Sequence, residues 1–476
     1  MDKTIQKIVD DNKCTGCQLC YNVCDFDAIH IELSSEGFYV PRINFDKCIN
    51  CGKCLKYCPI ENDLSDYNET INVYAAKSND EETRMKSSSG GIFSELAKEI
   101  LKQQGIVFGT AFNENNRLVH IDIDSKKDLK KLCGSKYLQS DINLSYKKAK
   151  NYLADGEKVM FIGTPCQASA LRNYIIDNDN LLIVDLVCHG VPSIKVFGKY
   201  LKYIFEDEKI KNIYFRDKQE EGWKNYYINL VGEESNYKKS HRKDPFLYGF
   251  LKNLYLNKIC YDCPFSKIPR VSDITLGDFW GVNQELDDNK GTSLVIVNSN
   301  KGQEIIDNLI LNRKISVNPS DIISGSKQNP RVIDGNMNIP KGREKLFKEI
   351  ENLTFKEMDN LFIKSPKKEI LQYAVKSIQT KPIVIFGTGS GGLKVFDEVK
   401  KIGIKEFKYF VDNDEKKEGT IFCGKKIYKP EKLLLDKKDK IFIIVASFYY
   451  DEISNQLINM GFREDVDFVD GISYFL

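Results

Sequence analysis

Fourteen cysteines occur in this chain of 476 residues, and eight of them fall in two runs of identical spacing near the N-terminus. The first run, CTGCQLCYNVC, supplies Cys14, Cys17, Cys20 and Cys24. The second, CINCGKCLKYCP, supplies Cys48, Cys51, Cys54 and Cys58, followed by Pro59. Each reads C-x2-C-x2-C-x3-C, a spacing in which three neighbouring thiolates hold one 4Fe–4S cubane and the fourth crosses to the other. The rule assigns Cys14, Cys17, Cys20 and Cys58 to one cluster and Cys48, Cys51, Cys54 and Cys24 to the second. Structural zinc instead pairs two two-ligand knuckles across a longer spacer, which these runs do not resemble. The first run ends in Asp25 where proline is usual, which alters a turn and removes no ligand.

Further chemistry-bearing residues lie beyond these runs. Cys166 in GTPCQ, Cys188 in LVCHG, and Cys260 and Cys263 in CYDCPF form one C-x2-C knuckle plus two cysteines in small-residue turns. They read as a third four-thiolate site or as small apolar side chains in a core, and the residues alone leave both open. Cys133 and Cys423 read as packing. His189, beside Cys188, titrates near neutrality when exposed, so it is a candidate proton donor or a structural histidine. Near the C-terminus, KPIVIFGTGSGGLKVFDEVKK places Gly387, Gly389 and Gly392 in a G-x-G-x-x-G pattern between a strand and a helix. Asp412 ends the next apolar run, KYFVDND, where a ribose-binding carboxylate belongs. This segment reads as a Rossmann-like nucleotide site, or as a docking module with a vestigial glycine turn.

These residues need elements to position them. Between the cysteine runs, AIHIELSSEGFYVPRI alternates and turns at Ser-Ser-Glu-Gly, which predicts a hairpin. After a polar stretch at 61–70 come the strand-like NVYAAKS and SSSGGIFSELAKEILKQQG, a capped helix ending at Gly105. IVFGTAF, VMFIGTPCQ and LLIVDLVCHG then run from apolar strands into turns, implying an α/β domain with ligands at the carboxyl ends of its strands. Residues of about 340–378 are charged and helix-prone, and IFIIVAS reads as a third parallel strand of the C-terminal segment. Lys plus Arg (70) nearly balances Asp plus Glu (68), and no basic block points to nucleic acid or an anionic membrane. The charged N-terminus lacks the apolar stretch of a signal peptide, and no run is long enough to insert in a membrane. A cytoplasmic protein is expected, in which metal ligation outweighs disulfides.

SSSGGIFSELA, GSKYLQSD, GTPCQ, FRDK with Gly222–Trp223, and CYDCPF followed by SDITLGDFWG occur in this order. In these motifs the chain resembles the coenzyme F420 hydrogenase/dehydrogenase beta-subunit family over roughly residues 1–335. The resemblance implies FAD in the middle domain, electrons passing between clusters and flavin, and an additional cluster nearby. Carried over by motif, the flavin-site residues are Ser88, Ser89, Gly90, Gly91, Ser135, Lys136, Tyr137, Ser140, Gly163 and Thr164. A Ser-Ser-Gly-Gly turn before a helix can present N–H groups to a pyrophosphate, and Lys136 can add a charge. The C-terminal segment resembles small Rossmann-like domains appended to sugar-modifying and polysaccharide-biosynthesis enzymes.

The expected fold is a multidomain α+β and α/β chain. A two-cluster ferredoxin-like domain spans 1–64, an α/β flavin-binding domain 70–335, a helical linker 336–377, and a Rossmann-like half-domain 378–476. The expected function is a flavin-dependent iron–sulphur oxidoreductase. It would pass electrons from a ferredoxin-type donor through two or three 4Fe–4S clusters to FAD and on to a small-molecule or sugar-linked substrate. The alternative is an electron-transfer beta subunit of a hydrogenase or dehydrogenase complex using a deazaflavin coenzyme.

Overall fold

The computed structural model describes residues 3–62, 64, 67–447 and 449–475, so residues 63, 65 and 66 of the polar stretch lie outside them. The chain divides into two compact units, Met1–Ile363 and Lys364–Leu476, which are treated separately below.

In the first unit the two cysteine runs flank the expected hairpin. Strands β1 (Ile29–Leu33) and β2 (Tyr39–Ile43) pair antiparallel from Ile29↔Ile43 to Leu33↔Tyr39. Each run carries a short helix, Leu19–Val23 and Lys53–Lys56, entered through a left-handed residue, Gln18 or Gly52.

The main body is an eight-stranded mixed sheet. Its strands are β3 (Asn72–Ser78), β4 (Ile106–Phe112), β5 (Leu118–Ile123), β6 (Val159–Gly163) and β7 (Leu181–Leu186). Strands β8 (Ile210–Asp217), β9 (Tyr227–Gly232) and β10 (Asn236–Ser240) form a separate antiparallel sheet. The main sheet is completed by β11 (Ile274–Asp278), β12 (Ser293–Val297) and β13 (Ile315–Ser320), in the order β13-β3-β12-β11-β7-β6-β4-β5. Strands β4, β6, β7 and β11 run parallel, and their apolar sequences are buried on both faces. Antiparallel strands close both sides, so the expected α/β domain is built on a mixed sheet.

Cys17, Leu19 and Val23 share a hydrophobic core with Phe108, Tyr146 and Phe161. The cluster-binding segment is therefore built into the core of the middle domain.

The stretch expected as a helical linker divides between the units. Leu346, Phe347, Phe355 and Met358 are buried in the first unit's core, whereas Ala374 and Ile378 of the helix Lys368–Thr380 are buried in the second. The charged residues that suggested a linker are the solvated faces of amphipathic elements.

The second unit is a six-stranded sheet. It comprises β14 (Pro382–Phe386), β15 (Glu406–Val411), β16 (Ile421–Phe422), β17 (Lys425–Tyr428), β18 (Phe442–Val445) and β19 (Phe468–Asp470). The order is β16-β17-β15-β14-β18-β19, parallel from β17 to β19. IFIIVAS thus supplies the fourth parallel strand in chain order, β18. The third, β17, is short and lysine-rich and carries no strand signal of its own.

Candidate functional site

Two cavities lie along the hairpin, one beside the Ile31–Pro41 pair and one beside the Ile29–Ile43 pair. One is lined by Cys14, Cys17, Cys20 and Cys58, with Ile5, Ile8 and Ile60 around them. The other is lined by Cys24, Cys48, Cys51 and Cys54, with Ile29 and Ile43. Each cavity takes three cysteines from one run and one from the other, the crossed arrangement the spacing implies. Four soft sulphur donors in an apolar wall suit an iron–sulphur cluster, in which thiolates are charge-compensated by metal. Burial pushes the metal-free Cys14 and Cys58 thiols up to about 12.

The third set of cysteines also converges. Cys166 follows β6 and Cys188 follows β7; both thiols lie near Cys263, Cys260 lies near Cys188 and Cys263, and burial raises the pKa of Cys166, Cys188 and Cys260. A side chain that sequence reasoning missed ties these segments together. Arg331, 6% exposed, donates from Nε to the Cys188 carbonyl (3.3 Å), from Nη2 to the Cys260 carbonyl (3.1 Å), and from Nη1 to the Gly335 carbonyl. That last oxygen also accepts from the Cys263 N–H at 3.0 Å. Cys166 further senses Cys17 of the first cavity, and Tyr146 stands between them. The Tyr146 hydroxyl lies 3.1 Å from the Cys17 carbonyl and 3.3 Å from that of Gln167.

The flavin candidates separate into two groups. Ser88, Ser89, Ser135 and Tyr137 form a half-buried row, joined where the Ser135 N–H donates to Ser88 Oγ at 2.6 Å. The remaining candidates are committed to the fold. A Cβ on Gly90 would collide with the Ala76 carbonyl, and the Gly90 N–H already donates to Ser293 Oγ at 3.0 Å. Gly91 has φ +88° and starts the helix Ile92–Lys102. Ser140 is buried, its hydroxyl held between Gln167 Nε2 (2.9 Å) and His120 Nδ1 (3.0 Å). Gly163 and Thr164 build the start of the helix Pro165–Tyr174, where Thr164 Oγ1 lies 3.2 Å from Cys166 Sγ. Thr164 therefore belongs beside the thiols. Lys136 turns inward, its Nζ donating to the carbonyls of Leu132 (3.1 Å), Cys133 (2.9 Å) and Gly134 (3.2 Å), and burial pulls its pKa down to about 8. His189 is enclosed against the Phe250 ring, and burial, with Arg331 nearby, lowers its pKa.

Strand register explains how the row and the third thiol set come together. Leu276 of β11 pairs with Leu186 of β7, so Asp278 and Cys188 sit at equivalent places beyond the same edge. Asp278 pairs with Ser293, which pairs with Ala76, next to the Ser-Ser-Gly-Gly turn. One carboxyl edge thus carries thiols at β6 and β7 and the polar row at β11, β12 and β3, as parallel sheets commonly do.

Arg216 and Lys218, on one face at the end of β8, border this row. The Arg216 Nη1 donates to Asp278, and its guanidinium lies over the rings of Tyr226 (4.6 Å) and Trp280 (5.4 Å). Lys218 Nζ donates to the carbonyls of Ser89 (3.0 Å) and Lys290. Trp223 stacks on Trp280 at 4.3 Å and donates from Nε1 to Asp278 at 3.2 Å. Their sequence signals are the motifs FRDK, Gly-Trp and SDITLGDFWG, none of which marks a charged site by itself.

In the second unit the glycines have unequal roles. Gly387 has φ +109°, and a Cβ on Gly392 would collide with the Gly387 carbonyl, whereas Gly389 has nothing within 4 Å of its Cβ position. The Asp412 carboxylate accepts from the Thr388 N–H at 3.0 Å and hydroxyl, and from Lys417 Nζ at 3.0 Å. It holds the glycine turn against β15 rather than standing free.

Comparison with known proteins follows the same divisions. Residues 13–62 match the family model of the 4Fe-4S dicluster domain. Residues 73–145 and 156–322 match those of the coenzyme F420 hydrogenase/dehydrogenase beta subunit, N-terminal and C-terminal parts, and 379–466 match the C2185-like N-terminal model. Ferredoxin-type protein NapF of Haemophilus influenzae is 39% identical over 44 residues, 9% of this chain. The chain spans about a quarter of that relative's length (25%). Among solved structures, a chain of the F420-reducing NiFe hydrogenase complex from Methanosarcina barkeri is similar at 18% identity, TM-score 0.40, over 66% of this chain and 94% of that one. UDP-D-quinovosamine 4-dehydrogenase from Vibrio fischeri is 32% identical, with TM-score 0.15, over 17% of this chain and 73% of that one.

Proposed function

Because the chain belongs to the coenzyme F420 hydrogenase/dehydrogenase beta-subunit family and carries a 4Fe–4S dicluster domain, we propose that it is an iron–sulphur flavoprotein that transfers electrons between a ferredoxin-type donor and an organic substrate. The observation that carries this reading is the continuity of sulphur sites with the polar row. The first thiol cavity adjoins Cys166 through Cys17 and Tyr146, and the Cys166–Cys188–Cys260–Cys263 set shares a sheet edge with Ser88, Ser89, Ser135 and Tyr137.

Cys14, Cys17, Cys20 and Cys58 would hold one cluster, Cys24, Cys48, Cys51 and Cys54 a second, and Cys166, Cys188, Cys260 and Cys263 a third. FAD would lie along the serine row. Clusters exchange single electrons and a flavin exchanges one or two, so together they couple a one-electron donor to two-electron organic chemistry. The protein's part is to bury the thiols, to fix their segments through Arg331, and to present the hydroxyls of Ser88 and Ser135 at the row's half-buried face, the Ser89 hydroxyl being taken by the Thr292 carbonyl. In the second unit, the strand order reverses at β14, and the open site at Gly389 lies in the turn after that strand. That crevice supports a nucleotide or nucleotide-sugar ligand, and with it a sugar-linked substrate.

The family description favours a second reading, a relay subunit of a larger hydrogenase or dehydrogenase assembly that uses a deazaflavin. Anaerobic purification from the native cell separates the two. A self-contained oxidoreductase is isolated alone with reducible flavin. A relay subunit is isolated with a large catalytic partner and oxidises or reduces the deazaflavin only in its presence.

A further inference from the structure

Arg216 is buried, with its side chain 3% exposed, yet two of its three nitrogens have no hydrogen-bond partner. The unpartnered atoms are Nε and Nη2, whose N–H bonds point the same way from one edge of the guanidinium. That edge is the fork that grips a carboxylate or phosphate through two parallel hydrogen bonds. The remaining nitrogen is taken by Asp278, and one face is covered by Tyr226. The Tyr137 phenol lies beside the guanidinium, near enough for a weak interaction with it, and Nε and Nη2 keep no other partner among the described residues. Leaving such donors unpaired away from water is costly, so a built-in fork of this kind implies an acceptor.

A second observation points to a negative acceptor. Lys218 is buried two residues on, and its ammonium binds only neutral carbonyls, those of Ser89 and Lys290. Arg84, the next cation, is matched by Asp288 through two hydrogen bonds of 2.6 and 2.7 Å. Asp278 is the carboxylate bound to Arg216, and burial beside Arg216 and Arg84 pulls Lys218 down to about 7, a shift that a bound anion at the edge of the serine row would reverse.

We propose that Arg216 and Lys218 form an oxyanion-binding site, in which the Nε/Nη2 fork takes a phosphate or carboxylate group and the lysine adds the second charge. The group has two possible owners, the phosphates of the flavin or an acidic substrate. The site adjoins the flavin row and deepens that reading, on which the first of these alternatives rests.

Trp223 and Trp280 are the only tryptophans in the chain and they stack on each other beside Arg216, so tryptophan emission, excited selectively over the 24 tyrosines, reports on this site. The test uses the full chain, purified anaerobically and freed of flavin, titrated with inorganic pyrophosphate, oxalate, FAD and riboflavin. Wild-type protein should respond saturably to pyrophosphate or oxalate. Arg216→Gln should weaken that response by about 10- to 100-fold, the effect of losing a bidentate charged pair. If FAD binding falls by the same factor while riboflavin binding is unchanged, the flavin phosphates own the site. If both flavins bind as before, the anion is the substrate's. Lys218→Gln should weaken the same ligands and serves if Arg216→Gln does not fold. A wild-type protein that binds pyrophosphate but neither flavin would remove the flavin reading and leave the anion site. No saturable response to either anion, together with FAD binding unchanged in both variants, would overturn the proposal.

Discussion

Replacing Arg331 by methionine keeps the side chain's length and apolar stem but removes all its donors. The carbonyls of Cys188 and Cys260 then lose this partner in a buried setting, and that of Gly335 keeps only the Cys263 N–H. A single hydrogen bond to a charged group contributes about 1.5–3 kcal/mol, and three sharing one guanidinium are not additive. A local cost of roughly 3–5 kcal/mol is expected, in the range for breaking a buried charged set. Against a domain stability of about 5–15 kcal/mol the chain still folds. The segments bearing Cys188, Cys260 and Cys263 should open locally, because Arg331 joins strands of chain far apart in sequence. Iron and acid-labile sulphide should each fall by about four per chain, the content of one cubane. Hydrogen exchange at Lys258–Tyr261 should accelerate while the Cys14–Cys58 region is unchanged. Arg331→Lys should give nearly the same loss, since one ammonium cannot reach three carbonyls in the guanidinium's plane. Full iron with unchanged exchange in Arg331→Met would refute the idea that this side chain holds a third cluster site together.

Further expectations concern other parts of the molecule. Cys58→Ser should perturb the cluster otherwise held by the first run and Cys24→Ser the one held by the second, seen as separate changes in the EPR spectrum of the reduced protein. The opposite assignment would mean that the fourth ligands do not cross. His120 is buried between Ser140 and the Ile162 carbonyl, and burial lowers its pKa to about 4. Its stabilising contribution is therefore complete above its unfolded pKa of about 6.5 and is lost as pH falls toward 4, at up to about 1.4 kcal/mol per pH unit. Urea midpoints measured across that window should fall less steeply in His120→Gln, though not flatten, because His241 is also lowered to about 4. An unchanged slope would contradict this. Gly392→Ala should destabilise the second unit by more than about 2 kcal/mol, through collision with the Gly387 carbonyl, while Gly389→Ala should change its melting little. Equal effects would show that the turn is not packed as described.

The cysteine spacing carried the dicluster segment because ligand number and order are local in sequence, and each cavity is closed by only one distant residue, Cys58 or Cys24. The hairpin and the strands NVYAAKS and IVFGTAF were legible for the same reason, since alternation and apolar runs are local patterns. What sequence could not show was long-range. Arg216, Lys218 and Arg331 read as ordinary surface cations until the register of β11 against β7 and the fold of the 331–335 turn bury them. Several motif residues have structural partners within the fold, and a glycine or serine kept for backbone packing looks the same in sequence as one kept for a ligand. Gly90 and Ser140 are of this kind, and so is Asp412, whose carboxylate braces Thr388. A bulky replacement at Gly90 would damage the sheet edge whether or not flavin binds there.

Metal and flavin quantitation of the full chain, purified without exposure to oxygen, tests the cluster-to-flavin arrangement most directly. About twelve iron and twelve acid-labile sulphide per chain are expected, with about one FAD released on denaturation. Zinc without sulphide at the paired cysteine runs, or clusters with no flavin in any preparation or after reconstitution, would contradict it.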